Sequence, residues 1–545
     1  MNQKMKNPII PGFYPDPSIC RAGDEFYLAC SSFELCPGIP VFHSRDLAHW
    51  ELCSYAVSGQ NGLHVEKNSM TGGLMAPTIR YYDGTFYIIN ANFCDKGNYI
   101  ITAQNPEGPW SEPHWLSDVP GIDASIFFDH DGGCYVLGTG NVWDNGTGVK
   151  ERGIWLAEYD IRNFKMAGEP VTIFNSALRV GSSPESPHLY HVGDYYYLVI
   201  AEGGTEHYHA VMTARSKDIF GFYEGNPANP VLTHRHMGYS CPVTNVGHAD
   251  LVQLPDGSWY AVMLASRLIE GKCKNLGRET FICPVVWERD WPLFSPQTGR
   301  LEMEYDMPES LVPAEYPPEP EWDDFESEEL KPCWNFWGTP YEAFYKIHHS
   351  KLIIKCIRQQ LAEEIHPSSL VPEYHKDRFA PFVARRQRSI HTAVTCRMTF
   401  MPEGVQSAGL AVVQAMNHQY HLERACEDGK QTVRFVRYTA DYDVMPHMPG
   451  FQSRTQKDIL AQAAWEEADI ILQIEMEGEA FSIRYGADLS SLRELCTADG
   501  AAINPEKAGC MAGTICGMFA SGNGADSENQ AEFDWFEIKP VSTHS

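Results

Sequence analysis

Asp16-Pro-Ser-Ile19, followed by Gly23-Asp-Glu-Phe-Tyr27, is the first of five passages built to one plan. The others are Ala76-Pro-Thr-Ile79 with Asp83-Gly-Thr-Phe-Tyr87, Asp123-Ala-Ser-Ile126 with Asp131-Gly-Gly-Cys-Tyr135, Ser186-Pro-His-Leu189 with Gly193-Asp-Tyr-Tyr-Tyr197, and His248-Ala-Asp-Leu251 with Asp256-Gly-Ser-Trp-Tyr260. Each reads as a short strand, a tight turn at Gly or Asp, and an aromatic strand. Asp-Gly between apolar runs signals a hairpin because the turn needs positive φ. The copies recur at intervals of roughly 50 to 60 residues, the length of one four-stranded blade. Five copies predict a five-bladed β-propeller over residues 1–307.

In a propeller the first strand of each blade lines the central channel, so equivalent positions face one axis. Here those positions are Asp16, Ala76, Asp123, Ser186 (with Glu185 just before it) and His248. Three carboxylates and an imidazole, remote in the chain, are thus aimed at one funnel. Carboxylates in such a place are costly unless they are paired or at work.

Prolines 308, 313, 317, 318 and 320 mark an extended linker over 308–322, since proline removes a donor and fixes φ. Beyond it, alternating strands are expected at Leu352–Cys356, Ala408–Val413, Thr432–Arg437, Ile470–Glu475, Phe481–Tyr485 and Phe533–Ile538. Many short strands with polar turns predict an antiparallel β-sandwich over 323–545, without a catalytic constellation. It is expected to pack on the propeller and narrow its pocket through the Gly/Ser/Asn-rich loop Ala520–Asn529. The fold class is therefore all-β.

The 545 residues carry 42 Lys+Arg against 71 Asp+Glu, a formal charge of −29. Nucleic acid and anionic membranes would be repelled and are excluded as main partners. No apolar run is long enough to span a bilayer as a helix. Met1–Pro8 has no apolar segment behind its lysines, so a cytoplasmic location is expected. The sixteen cysteines are scattered with no CxxC pair, which predicts reduced, mostly buried thiols. The sequence leaves self-association open.

No GxSxG elbow, P-loop, GxGxxG or HExxH occurs. His207-Tyr-His209 and His234-Arg-His236 read as surface or hydrogen-bonded histidines. What remains is a set of carboxylates in an aromatic-rich funnel, the machinery of glycoside hydrolysis. One carboxyl must stay protonated to donate to the leaving oxygen, and one ionised to activate water. A third can raise the pKa of the acid by like-charge repulsion. Phe33, where the first blade turns back, is expected to stack on a sugar.

Several segments together resemble glycoside hydrolase family 43, in its two-domain β-xylosidase/α-L-arabinofuranosidase branch. They are Asn7-Pro-Ile-Ile-Pro-Gly-Phe-Tyr-Pro-Asp-Pro-Ser18, Gly121-Ile-Asp-Ala-Ser125, Pro184-Glu-Ser-Pro-His-Leu-Tyr190, Ala201-Glu-Gly-Gly-Thr205, Gly247-His-Ala249 and Gly277-Arg-Glu-Thr280. The resemblance covers nearly the whole chain and implies that the sandwich is concanavalin-like. It implies an inverting enzyme in which Asp16 matches the general base, Glu185 the general acid, and Asp123 the carboxylate that tunes the acid and orients the sugar. By the same resemblance His248 supports the base, Arg278 contacts sugar hydroxyls, and Thr205 and Phe33 line the pocket.

The chain departs from that pattern at Met75, before Ala76, where the branch commonly has Trp, and at Ile122, where it commonly has Phe. Both line the pocket for the terminal sugar, so the choice between xylopyranose and arabinofuranose is open. No cofactor is required by this chemistry. In some members the position of His248 binds a metal in the channel; a structural calcium ion is compatible with the sequence, but no Asp-rich loop demands one. The reading is an exo-acting hydrolase of short xylo- or arabino-oligosaccharides. Its rivals are a non-catalytic carbohydrate-binding propeller and an endo-arabinanase.

Overall fold

The computed structural model describes residues 3–65, 72–144, 150–175, 183–238, 240–362, 379–442, 453–508 and 511–541. Five antiparallel sheets follow one another from the N-terminus, each opening on one of the repeats. Blade 1 is Ser18–Ala22, Glu25–Ala29, Gly38–Ser44 and Glu51–Val57. Blade 2 is Thr78–Tyr82, Thr85–Asn92, Gly97–Ala103 and His114–Trp115. Blade 3 is Ile122–Phe128, Cys134–Asp144, Lys150–Asp160 and Lys165–Met166, with Val171–Asn175 also on its third strand. Blade 4 is Glu185–Val192, Tyr195–Glu202, Ala210–Ser216 and Glu224–Gly225. Blade 5 is Val243–Gln253, Trp259–Arg267, Glu279–Glu288 and Trp291–Phe294.

Period-two alternation explains how the blades adhere. Successive side chains of a strand point to opposite faces, and here each face meets a different neighbour. Ile88 joins the core between blades 1 and 2, while Ile89 joins the one between blades 2 and 3. Leu198 and Ile200 face blade 3, while Tyr197 and Val199 face blade 5. Blade 5 returns to blade 1 through Val252 and Val262 packed on Ile19, Phe26 and Leu28. Near this seam Lys4–Lys6 pairs with Glu304–Asp306, and the Asn7 amide donates to Ile282 O and Glu302 O, both at 2.8 Å.

The chain then crosses without regular structure to Trp322–Asp323, tied on both sides. Ala314 N donates to Asp46 at 2.8 Å, and Glu319 accepts from Arg388 at 3.0 Å. Among the described residues, two eight-stranded sheets form the sandwich around Val394, Leu410, Leu472, Met518 and Phe533. All six strands expected from alternation are present. One sheet ends on a strand of the propeller: Leu35–Cys36 of blade 1 pairs with Asn335–Trp337. The described cysteines are all unbridged.

The sandwich reaches the funnel by a different segment from the one expected. Loop 522–529 is tied within the sandwich, with Gly522 N on Ile357 O at 2.7 Å and Asn523 Nδ2 on Val405 O at 2.7 Å. Strand Ile515–Ser521 separates that loop from residues 511–514, and six residue steps at about 3.3 Å each put its ends roughly 20 Å apart. Composition marked the right strand and the wrong end of it. At the near end Ala512 packs on Phe13 and Phe33, and Thr514 N donates to Asn275 O at 2.8 Å. Gly513 and Gly277 let the two backbones close up: a Cβ on Gly277 would lie 2.7 Å from Gly513 Cα.

Candidate active site

The repeat register recurs in the backbone. Asp16, Asp123, Ser186 and His248 all have positive φ, between 52° and 55°. In blades 3, 4 and 5 the first strand slips register at this point, between Ile122 and Ser125, Glu185 and His188, and Gly247 and Asp250. Such a bulge re-aims side chains out of the ladder, here toward the funnel. Ala76 is outside this set, and blade 2 starts its first strand only at Thr78.

Asp16 is buried, and both oxygens are occupied. Arg278 Nη1 donates to Oδ1 at 2.6 Å and Ser31 Oγ to Oδ2 at 2.6 Å; His248 Nδ1 lies 3.9 Å from Oδ1. Burial disfavours its charge, but Arg278, His248 and the Ser31 hydroxyl outweigh burial and hold the carboxyl below its usual value. Arg278 sits at the mouth of the third strand of blade 5. Its neighbour Glu279 is gripped by Arg267 at 2.7 and 2.8 Å and by Gly12 N at 2.7 Å, which fixes where the guanidinium points. The same Nη1 reaches Thr205 Oγ1 at 3.2 Å.

Glu185 has the opposite environment. Its side chain is 16% exposed, and the nearest cation among the described residues, Arg152 Nη2, is 4.0 Å from Oε2. Burial and the Asp123 charge push its pKa up to about 8, against the pull of Arg152. Asp123, buried beside it, accepts from Ser186 N at 3.2 Å and is raised by burial and by Asp16, against His248 and Arg152. The three carboxylates therefore sense one another: Asp16 is held toward its ionised form and Glu185 toward its protonated one.

Phe33 differs from the expectation. It is 2% exposed, stacked on Phe13 with centroids 5.7 Å apart, and lies 5.6 Å from the Arg278 guanidinium. It supports that arginine rather than offering a face to a sugar. Met75 packs on the same cluster, and Ile122 opens the first strand of blade 3; both are partly exposed. His209 and His234 are buried and hydrogen-bonded, as read: His209 Nδ1 donates to Asn245 O at 2.9 Å, and His234 donates to Val243 O and accepts from Leu301 N, each at 2.9 Å.

Arg152 escaped the sequence reading. It lies on the third strand of blade 3, outside the repeat. Its Nε is 3.4 Å from Thr139 Oγ1, which donates to Pro184 O at 2.5 Å, the carbonyl preceding Glu185. Ser31 is visible only as the first of two serines before Phe33.

The profile of glycosyl hydrolases family 43 matches residues 5–292. The chain belongs to glycoside hydrolase family 43. A second profile, the beta xylosidase C-terminal concanavalin A-like domain, matches residues 322–539. This family 43 enzyme is 38% identical over 546 residues to a xylosidase/arabinosidase of Butyrivibrio fibrisolvens, covering 98% of this chain and 99% of the relative. It is 36% identical to a non-reducing end alpha-L-arabinofuranosidase of Bacteroides ovatus, over 98% and 94% of the two chains. Among solved structures, the xylan beta-1,4-xylosidase of Bacillus halodurans superposes with a TM-score of 0.86 at 30% identity, covering 98% of this chain and all of that one.

Below His248 the channel holds the guanidinium of Arg80, 2.8 Å from Asp250 and 3.0 Å from His188 Nδ1. A second cation there would be repelled by the first.

Proposed function

We propose that this hydrolase removes a terminal β-D-xylose or α-L-arabinofuranose from the non-reducing end of short oligosaccharides, with inversion. Asp16 deprotonates the attacking water, Glu185 protonates the leaving oxygen, and Asp123 keeps Glu185 protonated. The observation that carries the reading is the split between two carboxyls in one funnel: Asp16 held ionised by Arg278 and Ser31, Glu185 held protonated by burial and Asp123. Relatives named xylosidase/arabinosidase and alpha-L-arabinofuranosidase support both terminal sugars. A non-catalytic role would not need such a split, since binding alone requires no proton donor. The unbridged cysteines support a reducing compartment.

The test is hydrolysis of p-nitrophenyl β-D-xylopyranoside, p-nitrophenyl α-L-arabinofuranoside and xylobiose by wild type and Glu185→Ala. Wild type should turn over at least one, and NMR should show the inverted anomer as first product. Wild-type rates in the variant on xylobiose would remove Glu185 as the acid. A retained anomer would remove the inverting mechanism, and oligomeric products from linear arabinan would favour endo cleavage.

A further inference from the structure

Two residues along from the catalytic positions, the same strands carry a second ring of polar groups: Ser18 after Asp16, Ser125 after Asp123, His188 after Ser186 and Asp250 after His248. All are buried. Blade 2 contributes Arg80, whose Nη1 and Nη2 grip Asp250 Oδ2 and Oδ1 at 2.8 and 3.0 Å. Nη2 also donates to His188 Nδ1 at 3.0 Å, which makes His188 a neutral imidazole carrying its hydrogen on Nε2. Burial is what keeps it neutral, with a pKa pushed down to about 3.

The remaining valences close the ring. Ser18 Oγ donates to Asp250 Oδ2 at 2.6 Å and accepts from Ile79 N at 3.0 Å. Ile19 N donates to Asp250 Oδ2 at 2.9 Å, and Tyr190 donates to Oδ1. Ser125 Oγ lies 3.3 Å from His188 Nδ1, and Arg80 Nη1 also reaches Ile79 O at 2.8 Å. Every blade thus supplies at least one member of a single network.

We propose that Arg80 is the channel's own cation and a positioning residue for hydrolysis: by gripping Asp250 and His188 it sets the separation of the strands that carry Asp16, Asp123, Glu185 and His248. A buried ion pair seldom stabilises a fold more than apolar side chains of equal volume would. Its distinctive property is direction, because the guanidinium fork accepts partners only in fixed positions. Inter-blade apolar cores permit small sliding, whereas catalytic groups tolerate displacements of only about 0.5 Å. The network lies one ring below the carboxylates, on the strands where such sliding would matter.

The inference rests on the hydrolase reading, and one experiment separates the two. The double variant Arg80→Met/Asp250→Leu replaces the pair with apolar side chains. Arg80→Ala is assayed with and without methylguanidinium, and Arg80→Lys keeps the charge without the fork. Each is measured for melting temperature, folded fraction, and kcat and KM on the faster of the two nitrophenyl glycosides. The double variant should melt cooperatively while kcat falls about 30-fold per folded molecule and KM stays within about twofold, the pattern of misplaced catalytic groups. Methylguanidinium should restore Arg80→Ala by about tenfold, and calcium should not. Arg80→Lys should fold and lose about tenfold in kcat, which keeps the test alive if the others do not fold. Wild-type kcat per folded molecule in any folded variant would overturn the proposal, leaving the hydrolase reading intact. Wild-type protein that cleaves neither glycoside would overturn the hydrolase reading itself and the positioning role with it.

Discussion

Among the described residues, three carboxylates in the upper ring of the funnel share two arginines at unequal distance; in the ring below, Asp250 has Arg80 in a two-pronged grip. Asp16 takes Arg278 at 2.6 Å, Glu185 has Arg152 only at 4.0 Å, and Asp123 has a backbone amide. The same strands and nearly the same burial thus produce opposite chemistry. Where charge is matched, as at Asp250, the carboxyl stays far below its usual pKa and no proton can be kept. Where the cation is more distant, burial and the neighbouring Asp123 charge hold Glu185 toward its protonated form. Matching yields fixed geometry, and mismatch yields an acid and a base side by side.

The comparison breaks most visibly at Asp16. Asp16→Asn should lower kcat by about 10³- to 10⁴-fold on aryl glycosides and xylobiose alike, because no leaving group relieves the need for a base. Steady-state kinetics on both substrate types checks this. Glu185→Gln should cost about 10³-fold on xylobiose and much less on p-nitrophenyl glycosides, whose leaving group needs little protonation. An equal loss on both would mean that Glu185 does not protonate the leaving oxygen.

The pH profile sharpens the contrast between the two rings. The proposed roles require ionised Asp16 and protonated Glu185, so kcat/KM should rise at acid pH below the ordinary carboxylate range and fall as pH passes about 8. Asp123→Asn removes a charge that raises Glu185, and the alkaline limb should move down. Arg152→Gln removes one that lowers it, and the limb should move up. Limbs that move in the opposite senses would refute the assigned causes.

The smallest effect is expected at the rim. Met75→Trp with Ile122→Phe widens the flat apolar surface around the terminal sugar without touching a carboxylate. It should shift the ratio of kcat/KM for xylopyranoside over arabinofuranoside by about tenfold, with the pH profile unchanged. A displaced alkaline limb would show that these side chains reach Glu185 after all.

Much of this is legible in the sequence. The five Asp-Gly and Gly-Asp hairpins dictate blades because a positive-φ turn between alternating strands has few other outcomes, and equivalence of copies brings Asp16, Asp123, Glu185 and His248 to one axis. Two residues further along, Ser18, Ser125, His188 and Asp250 stand at equivalent positions too, but the sequence does not single them out and nothing in it says that Arg80 closes them. Three matters were decided by tertiary structure alone. Arg152 meets Glu185 across a blade outside the repeat. Phe33 is buried between Phe13, on which it stacks, and the Arg278 guanidinium, with Ala512 in the same cluster. The sandwich approaches through residues 511–514, because Gly277 and Gly513 permit a backbone contact there. Periodicity determines which face a side chain takes; which neighbour occupies the other side depends on packing between segments hundreds of residues apart, and no local pattern records it.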